Sequence, residues 1–377
     1  MSEGQSSIGL LDFTKRFHSG VNIDDTWRYA GLAEPKSVII PYLFSLRIQE
    51  GTVIDRADYA LDRRYGIVDP ATTAEKATIA LADDVAYVKA DFVRCWFNWR
   101  FFEPSPVPED TLDTLLESSY DKWPLDFFVN TLVERGIEIV PVLGCGYERM
   151  LPQGLHADKD RALYLKRLAI HTRLLIRRYK GKVKHWQIEN EPNWWRMHVI
   201  GGWRSGLSWF DPRGFRGDLL KTLNDSVHEE DPSAMTIINL EGDGGMKDLN
   251  QYPPLCDIIG LDFYPNYKAS SPINIDVFDH AQKFAKENGK PVIISETGYP
   301  SGPRLLGYTE EKQAQYVKKA FEKAFALDGI NGMGIWRYRD SSWRSFPPQE
   351  NRFGLKDSRG RSKPAWDALK ESISKLN

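Results

Sequence analysis

The chain has 377 residues, 41% of them hydrophobic, with a formal net charge of -2 and three cysteines. That length and apolar content support one large barrel-type domain or two ordinary ones, and exclude a disordered or fibrous chain. No basic excess is present to neutralise phosphates and no run of ~18 apolar residues to span a bilayer, so neither nucleic acid nor a membrane is an expected partner.

Residues 1 to about 35 read as an N-terminal extension packed on the domain that follows, 36–377. Their start lacks the basic n-region and apolar run of a secretory signal. The expected location is therefore the cytoplasm, or outside the cell if a signal has been removed.

Short β-branched runs then alternate with segments of helical period. Candidate strands lie near 37–42, 92–97, 137–143, 183–189, 234–240, 256–262, 291–296 and 331–336. Eight strands with helices between them predict a single (β/α)8 TIM barrel.

The helices carry their own punctuation. Thr72 and Glu75 have capping-box spacing, Pro124 suits a first helical position, and Gly136 and Gly289 stand where helices should stop. Leu165, Leu168, Ala169, Leu175, Ile176 and Tyr179 form an apolar stripe, and Thr309 should cap a helix with Glu310 and Glu311 in its first turn. The roughly fifty residues between the first two strands exceed one helix plus loops, so about 43–71 reads as a surface insertion, whereas the helix after strand five should be brief or missing.

Cys95, Cys145 and Cys256 fall on or beside apolar runs and read as small buried hydrophobes, not as a disulfide framework or zinc ligands.

Reactive groups of such barrels sit at the C-terminal ends of strands. Here those ends carry Arg94, Trp96 and Asn98, then Asn190 and Glu191, then Glu241, Tyr264, Glu296 and Trp336. Glu191 and Glu296 are three βα units apart, on strands four and seven, which nearly face each other across the mouth. Twelve tryptophans are present; Trp194, Trp195, Trp203 and Trp209 crowd the stretch after Glu191, and with Trp343 they suggest stacking platforms for sugar rings.

Asn190-Glu191-Pro192 and Ser295-Glu296-Thr297-Gly298-Tyr299-Pro300, at those strands, resemble the motifs of clan A retaining glycoside hydrolases. The resemblance covers roughly 37–370 as strand order, without matching one family of the clan. It implies Glu191 as general acid/base and Glu296 as nucleophile, with Tyr264 bonding the nucleophile and Trp336 flooring the sugar. Asn190 is suited to a sugar 2-hydroxyl and Arg94 to holding Glu296 ionised.

The chain departs from the clan's commonest pattern in having no histidine in "LGCGYERM" or "NLEGDGG". His156, His185 and His198 read as loop or packing residues. Glu103, Glu148, Glu241 and Asp243 are competing carboxylates at the mouth, while Glu189 should turn away from Asn190. Arg304, Arg337, Arg339, Arg344 and Arg352 read as a solvated basic face, with recognition of an anionic or substituted sugar as the alternative.

The expected activity is retaining hydrolysis of a β-linked oligo- or polysaccharide, with no metal or organic cofactor. A transglycosylase using the same glutamates and a non-catalytic carbohydrate-binding barrel are the alternatives.

Overall fold

The computed structural model describes residues 11–23, 70–103, 125–144, 151–152, 155, 160–193, 215–243, 249–340 and 347–376. Eight parallel strands close a barrel in chain order: β1 His18–Ile23, β2 Phe92–Trp96, β3 Glu138–Val142, β4 His185–Asn190, β5 Met235–Glu241, β6 Ile258–Phe263, β7 Val292–Thr297 and β8 Ile330–Ile335. Strands two to eight fall where the β-branched runs predict them.

The first strand does not. It is His18–Ile23, within the stretch read as an extension; the run near 37–42 and most of the expected insertion lie outside the described residues. Its sequence, HSGVNI, hides because Gly20 and Asn22 occupy inward positions where a β-branched residue is expected. Gly20 packs against the Phe92 ring, and Asn22 bonds the polar interior.

Alternation along the strands divides two cores. Val21, Val93, Cys95, Ile188, Ile238, Leu261 and Ile294 face outward into the larger one, where the strands meet the surrounding helices. Inward-facing Phe92, Val140, Ile237, Ile258 and Ile293 form a smaller apolar layer closed from below by Leu11 and Phe13. The Phe13 ring meets His185 and Phe92 edge-on at centroid distances of 4.9 and 5.6 Å. Burial holds His185 neutral by lowering its pKa to about 3, as befits a packing histidine.

The helices follow the punctuation in most places. Pro70–Val88 begins two residues before Thr72; Arg161–Tyr179 buries Leu168, Leu175, Ile176 and Tyr179 of the predicted stripe together with Tyr164 and His171, while Leu165 and Ala169 are half-buried. Thr309 accepts a bond from the Lys312 amide at 3.2 Å and caps Glu310–Ala326. Gly289 closes Phe278–Asn288 at φ 63°, a left-handed conformation that glycine adopts without strain. Between β5 and β6 the described residues hold only the short turns Leu249–Gln251 and Pro253–Leu255. Pro124 and Cys145 lie outside the described residues, while Cys95 and Cys256 are buried free thiols.

Two bulges aim the C-terminal ends of β4 and β7. Register slips between Gln187 and Glu189 on β4, so Glu189 pairs beside outward Ile238 and Asn190 beside inward Asn239. On β7 the slip opposite Leu261 and Asp262 lets Ser295 and Glu296 both serve the interior. Without these extra residues, strict alternation would send Asn190 and Glu296 outward into apolar packing.

Above the apolar layer the barrel interior becomes polar. Gly260 is required there: a Cβ would collide with Ser295 Oγ and come within 3.0 Å of Asn239 Oδ1. Gly260→Ala is expected to cost about 1–3 kcal/mol by overpacking, read as a lowered midpoint in chemical denaturation.

Candidate active site

The polar layer is organised by Arg94, which is buried at the centre of the barrel mouth. Nη1 lies 2.6 Å from Glu296 Oε1 and donates to Asn22 Oδ1 at 3.1 Å; Nη2 donates to Asn190 Oδ1 at 2.7 Å, and Nε to Gln187 Oε1 at 2.6 Å. One guanidinium thus ties β1, β2, β4 and β7 together. Its planar fork supplies these fixed directions, which a lysine ammonium does not reproduce.

Glu296 is 6% exposed and its two oxygens have different partners. Oε1 meets Arg94, and Oε2 accepts the Tyr264 hydroxyl at 2.5 Å. Burial, and next the Glu296 charge, raise the Tyr264 pKa well above the usual phenol value, so the ring stays a donor. Tyr264 is itself placed by Phe353, edge-on at 5.5 Å, and by its amide donating to Asp243 Oδ2 at 2.6 Å.

Asn190 Oδ1 receives Arg94 Nη2, Gln187 Nε2 at 3.1 Å and Asn239 Nδ2 at 2.9 Å. Three donors on one oxygen fix the orientation of the amide, turning Asn190 Nδ2 to the other side. Glu189 turns away as expected; its Oε1 accepts the Asn190 amide at 2.9 Å.

Glu191 follows directly, in a left-handed conformation at φ 45°, with its amide donating to the Asn239 carbonyl at 2.6 Å. A non-glycine residue in that region carries strain that its surroundings must hold in place. Asn193 does so by exchanging two bonds with the Glu241 backbone, at 2.8 and 2.9 Å, and Arg216 Nη1 by donating to the Pro192 carbonyl at 2.8 Å. Burial of its carboxyl, then the negative charges of Glu296 and Glu241, raise the Glu191 pKa well above the ordinary carboxylate value.

The structure therefore brings Glu191, Glu296, Arg94, Asn190 and Tyr264 together and adds partners that sequence reasoning missed. These are Asn22, Gln187, Asn239, Asp262 and Ser295 inside the barrel, and Glu350 in its wall. Asp262 Oδ2 accepts Asn239 Nδ2 at 2.7 Å and its Oδ1 lies 3.2 Å from Ser295 Oγ. Glu350 Oε1 accepts the Tyr267 hydroxyl at 2.6 Å, and Arg337 donates to the Glu350 carbonyl at 3.2 Å.

Trp96 and Trp336 are half-buried at the mouth, their rings 6.0 and 5.8 Å from the guanidinium carbons of Arg94 and Arg337. Asn98 instead precedes the short helix Trp99–Phe102 and takes no part in the Arg94 cluster. Glu241 is half-buried at the end of β5, close enough to add its charge to that felt by Glu191. Trp194, Trp195, Trp203, Trp209, Trp343, Glu148, His156 and His198 lie outside the described residues.

Two expectations are corrected. Glu103 is buried away from the mouth, bonded to Arg167 and accepting Trp99 Nε1 at 2.9 Å, because the helix Trp99–Phe102 turns it toward the outer helices. The arginines do not form one solvated face: Arg337 is buried in the wall, while Arg304 is exposed and Arg352 lies 3.8 Å from Asp340 on the outside. Arg344 lies outside the described residues.

Among the described residues, no group of three or more histidine, cysteine or acidic side chains is arranged to hold a metal ion, and no helix is long and apolar enough to cross a membrane. What the arrangement offers is a pair of carboxyls in contrasting surroundings. One is ion-paired and bonded to a phenol, and the other is biased to keep a proton.

The fold and this mouth define a single (β/α)8 barrel, the fold of a large group of glycoside hydrolases. No family model matches the chain. It is similar to endo-1,4-beta-xylanase B of Thermotoga neapolitana, 25% identical over 217 residues, which are 53% of this chain and 59% of that protein. Among solved structures it resembles a GH5_18 protein of Streptomyces cattleya in complex with GlcNAc, at TM-score 0.62 and 18% identity over 80% of this chain and 75% of that one. An exo-beta-1,4-mannosidase of an Opitutaceae bacterium superposes at TM-score 0.59 and 16% identity, covering 96% and 60% of the two chains. A GH2 beta-galacturonidase of Eisenbergiella tayi bound to galacturonate gives TM-score 0.55 and 17% identity, covering 80% and 48%.

Proposed function

We propose that the chain is a retaining β-glycosidase in which Glu296 is the nucleophile and Glu191 the general acid/base. The observation that carries this reading is the contrast between two neighbouring carboxyls at strands four and seven. Arg94 and Tyr264 hold the negative charge of Glu296, while burial and that same charge keep Glu191 protonated.

In the first displacement, Glu296 Oε attacks the anomeric carbon as the bond to the leaving oxygen breaks, and Glu191 gives that oxygen its proton. The product is a glycosyl ester on Glu296. In the second, Glu191, now ionised, takes a proton from water; the resulting oxygen attacks the same carbon and frees Glu296. Two inversions give net retention, and the pair should stand about 5–5.5 Å apart, as retaining enzymes require. In this reading Asn190, oriented by three donors on its oxygen, bonds the 2-hydroxyl and Trp336 floors the ring.

The substrate we propose is a β-linked oligo- or polysaccharide of neutral sugars. Relatives named for xylan, mannoside and galacturonide cleavage span several sugars, but the charge at this mouth discriminates. Among the described residues, with Glu191 and Asp262 held toward the protonated form by burial, Glu241, Glu296 and Glu350 still outnumber Arg94 and Arg337. A uronate would add an anion to an already anionic pocket.

A panel of aryl β-glycosides and soluble β-glycans tests the reading. Neutral glycosides should be cleaved with retention and uronides spared; inversion of configuration would sink it. Glu191→Ala should slow an unactivated glycan by orders of magnitude while sparing the first step on substrates with good leaving groups. Full activity of Glu191→Ala on an unactivated glycan would remove Glu191 from the acid role.

A further inference from the structure

Asn239, Asp262 and Ser295 are buried residues of three adjacent strands, β5, β6 and β7, and the double displacement as described gives them no task. Their hydrogens can be counted. Asn190 Oδ1 already accepts from Arg94 and Gln187, so the Asn239 group facing it at 2.9 Å is the NH₂; the same nitrogen reaches Asp262 Oδ2 at 2.7 Å. Both Nδ2 hydrogens are thereby spent, and Asn239 Oδ1 takes the Ser295 hydroxyl. Ser295 Oγ also lies 3.2 Å from Asp262 Oδ1, but a hydroxyl has one hydrogen to give, and here the oxygen of Asn239 is the nearer acceptor. The contact between Ser295 Oγ and Asp262 Oδ1 therefore closes only with a hydrogen supplied by Asp262.

We propose that Asp262 is a neutral carboxylic acid at working pH and the positioning residue of Asn190, acting through Asn239. This rests on the 2-hydroxyl role proposed for Asn190. With the proton on Oδ1 the three side chains form a closed ring: Asp262 donates to Ser295, Ser295 to Asn239, and Asn239 back to Asp262. Each member gives and receives once, so the bonds polarise one another in the same sense around the ring. The second Asn239 hydrogen is then fixed on Asn190 Oδ1, where it joins Arg94 and Gln187 in setting the direction of the Asn190 NH₂. The setting favours the protonated acid. Burial, and next the charges of Glu296 and Glu191, raise the Asp262 pKa well above the ordinary carboxylate value, and the opposing guanidinium of Arg94 is already 2.6 Å from Glu296. A neutral Asp262 holds Asn239 without adding an anion beside the one that Glu296 must carry.

Infrared spectroscopy of the chain carrying isotope-labelled aspartate tests the proton without turnover. At neutral pH the native protein should show a label-sensitive protonated-carboxyl band that Asp262→Asn abolishes; loss of a carboxylate band instead would mean an ionised Asp262 and overturn the proposal. Kinetics test the positioning. Asp262→Leu breaks the ring, and its loss of kcat/KM should be on the order of tenfold greater for a parent glycoside than for the 2-deoxy analogue, because one oriented hydrogen bond is at stake. Asp262→Asn offers an oxygen to Asn239 and an NH₂ to Ser295, so it should recover most of that difference. Equal penalties on the two substrates, or an asparagine variant as defective as the leucine one, would overturn the positioning role. Should Asp262→Leu not fold, Ser295→Ala, which removes the middle donor of the ring, takes its place with the same two substrates. If no glycoside is cleaved at all, the proposed function falls, while the infrared band still decides whether Asp262 is neutral.

Discussion

Glu296→Gln should lower turnover on an activated β-glycoside by on the order of 10⁴-fold or more, with little change in the affinity for intact substrate. An amide is isosteric but has no charge with which to attack the anomeric carbon, and the oxygen facing Arg94 becomes a weak acceptor or, if the group flips, an NH₂ facing a guanidinium. Rapid-quench mass spectrometry sharpens the reading. The native enzyme should form a glycosyl adduct on the peptide carrying Glu296, and the variant none. Turnover within tenfold of the native rate would show that another group attacks, and the proposed nucleophile would have to be abandoned. Tyr264→Phe is expected to act in the same direction but more weakly, because it removes one donor from Glu296 while leaving the ion pair.

The barrel could be read from the sequence because seven of its strands are β-branched runs spaced by helical segments. The first escaped because its inward positions are filled by what the interior needs there: room for Phe92 at Gly20 and an amide for Arg94 at Asn22. For the site, strand ends and two short motifs located Glu191, Glu296, Arg94, Asn190 and Tyr264. Asp262 stands two residues before Tyr264, hence on the same face by simple alternation, and that period was the available signal for it. Asn239 and Ser295 also lie on inward positions, but their partners are Asn190 and Asp262 on other strands, and nothing local announces such pairing. The bulges at Gln187–Glu189 and near Ser295 leave no composition signal, though they decide which way Asn190 and Glu296 face. Glu103 misled for a related reason: proximity to a strand end says little about direction once a helical turn intervenes.

Arg94→Met should produce the second large effect, and on two observables at once. It removes the counter-charge of Glu296 and leaves the Asn22, Gln187 and Asn190 side-chain oxygens without the donor that now gathers them. Breaking a buried pair from one side typically costs about 3–5 kcal/mol, because a desolvated carboxylate remains. The chemical-denaturation midpoint should fall accordingly. Turnover should fall as well, since the attacking carboxylate loses its counter-charge and Asn190 loses a donor that orients it. Arg94→Lys separates the two contributions. An ammonium restores the charge beside Glu296 but cannot reach four acceptors on three other strands, so much of the stability should return while Asn190 loses its fixed orientation. Substrates lacking the 2-hydroxyl should then discriminate: they gain nothing from an oriented Asn190, so the penalty of Arg94→Lys should be smaller for them than for the parent sugar. Equal penalties would mean that Arg94 acts on the reaction through Glu296 alone.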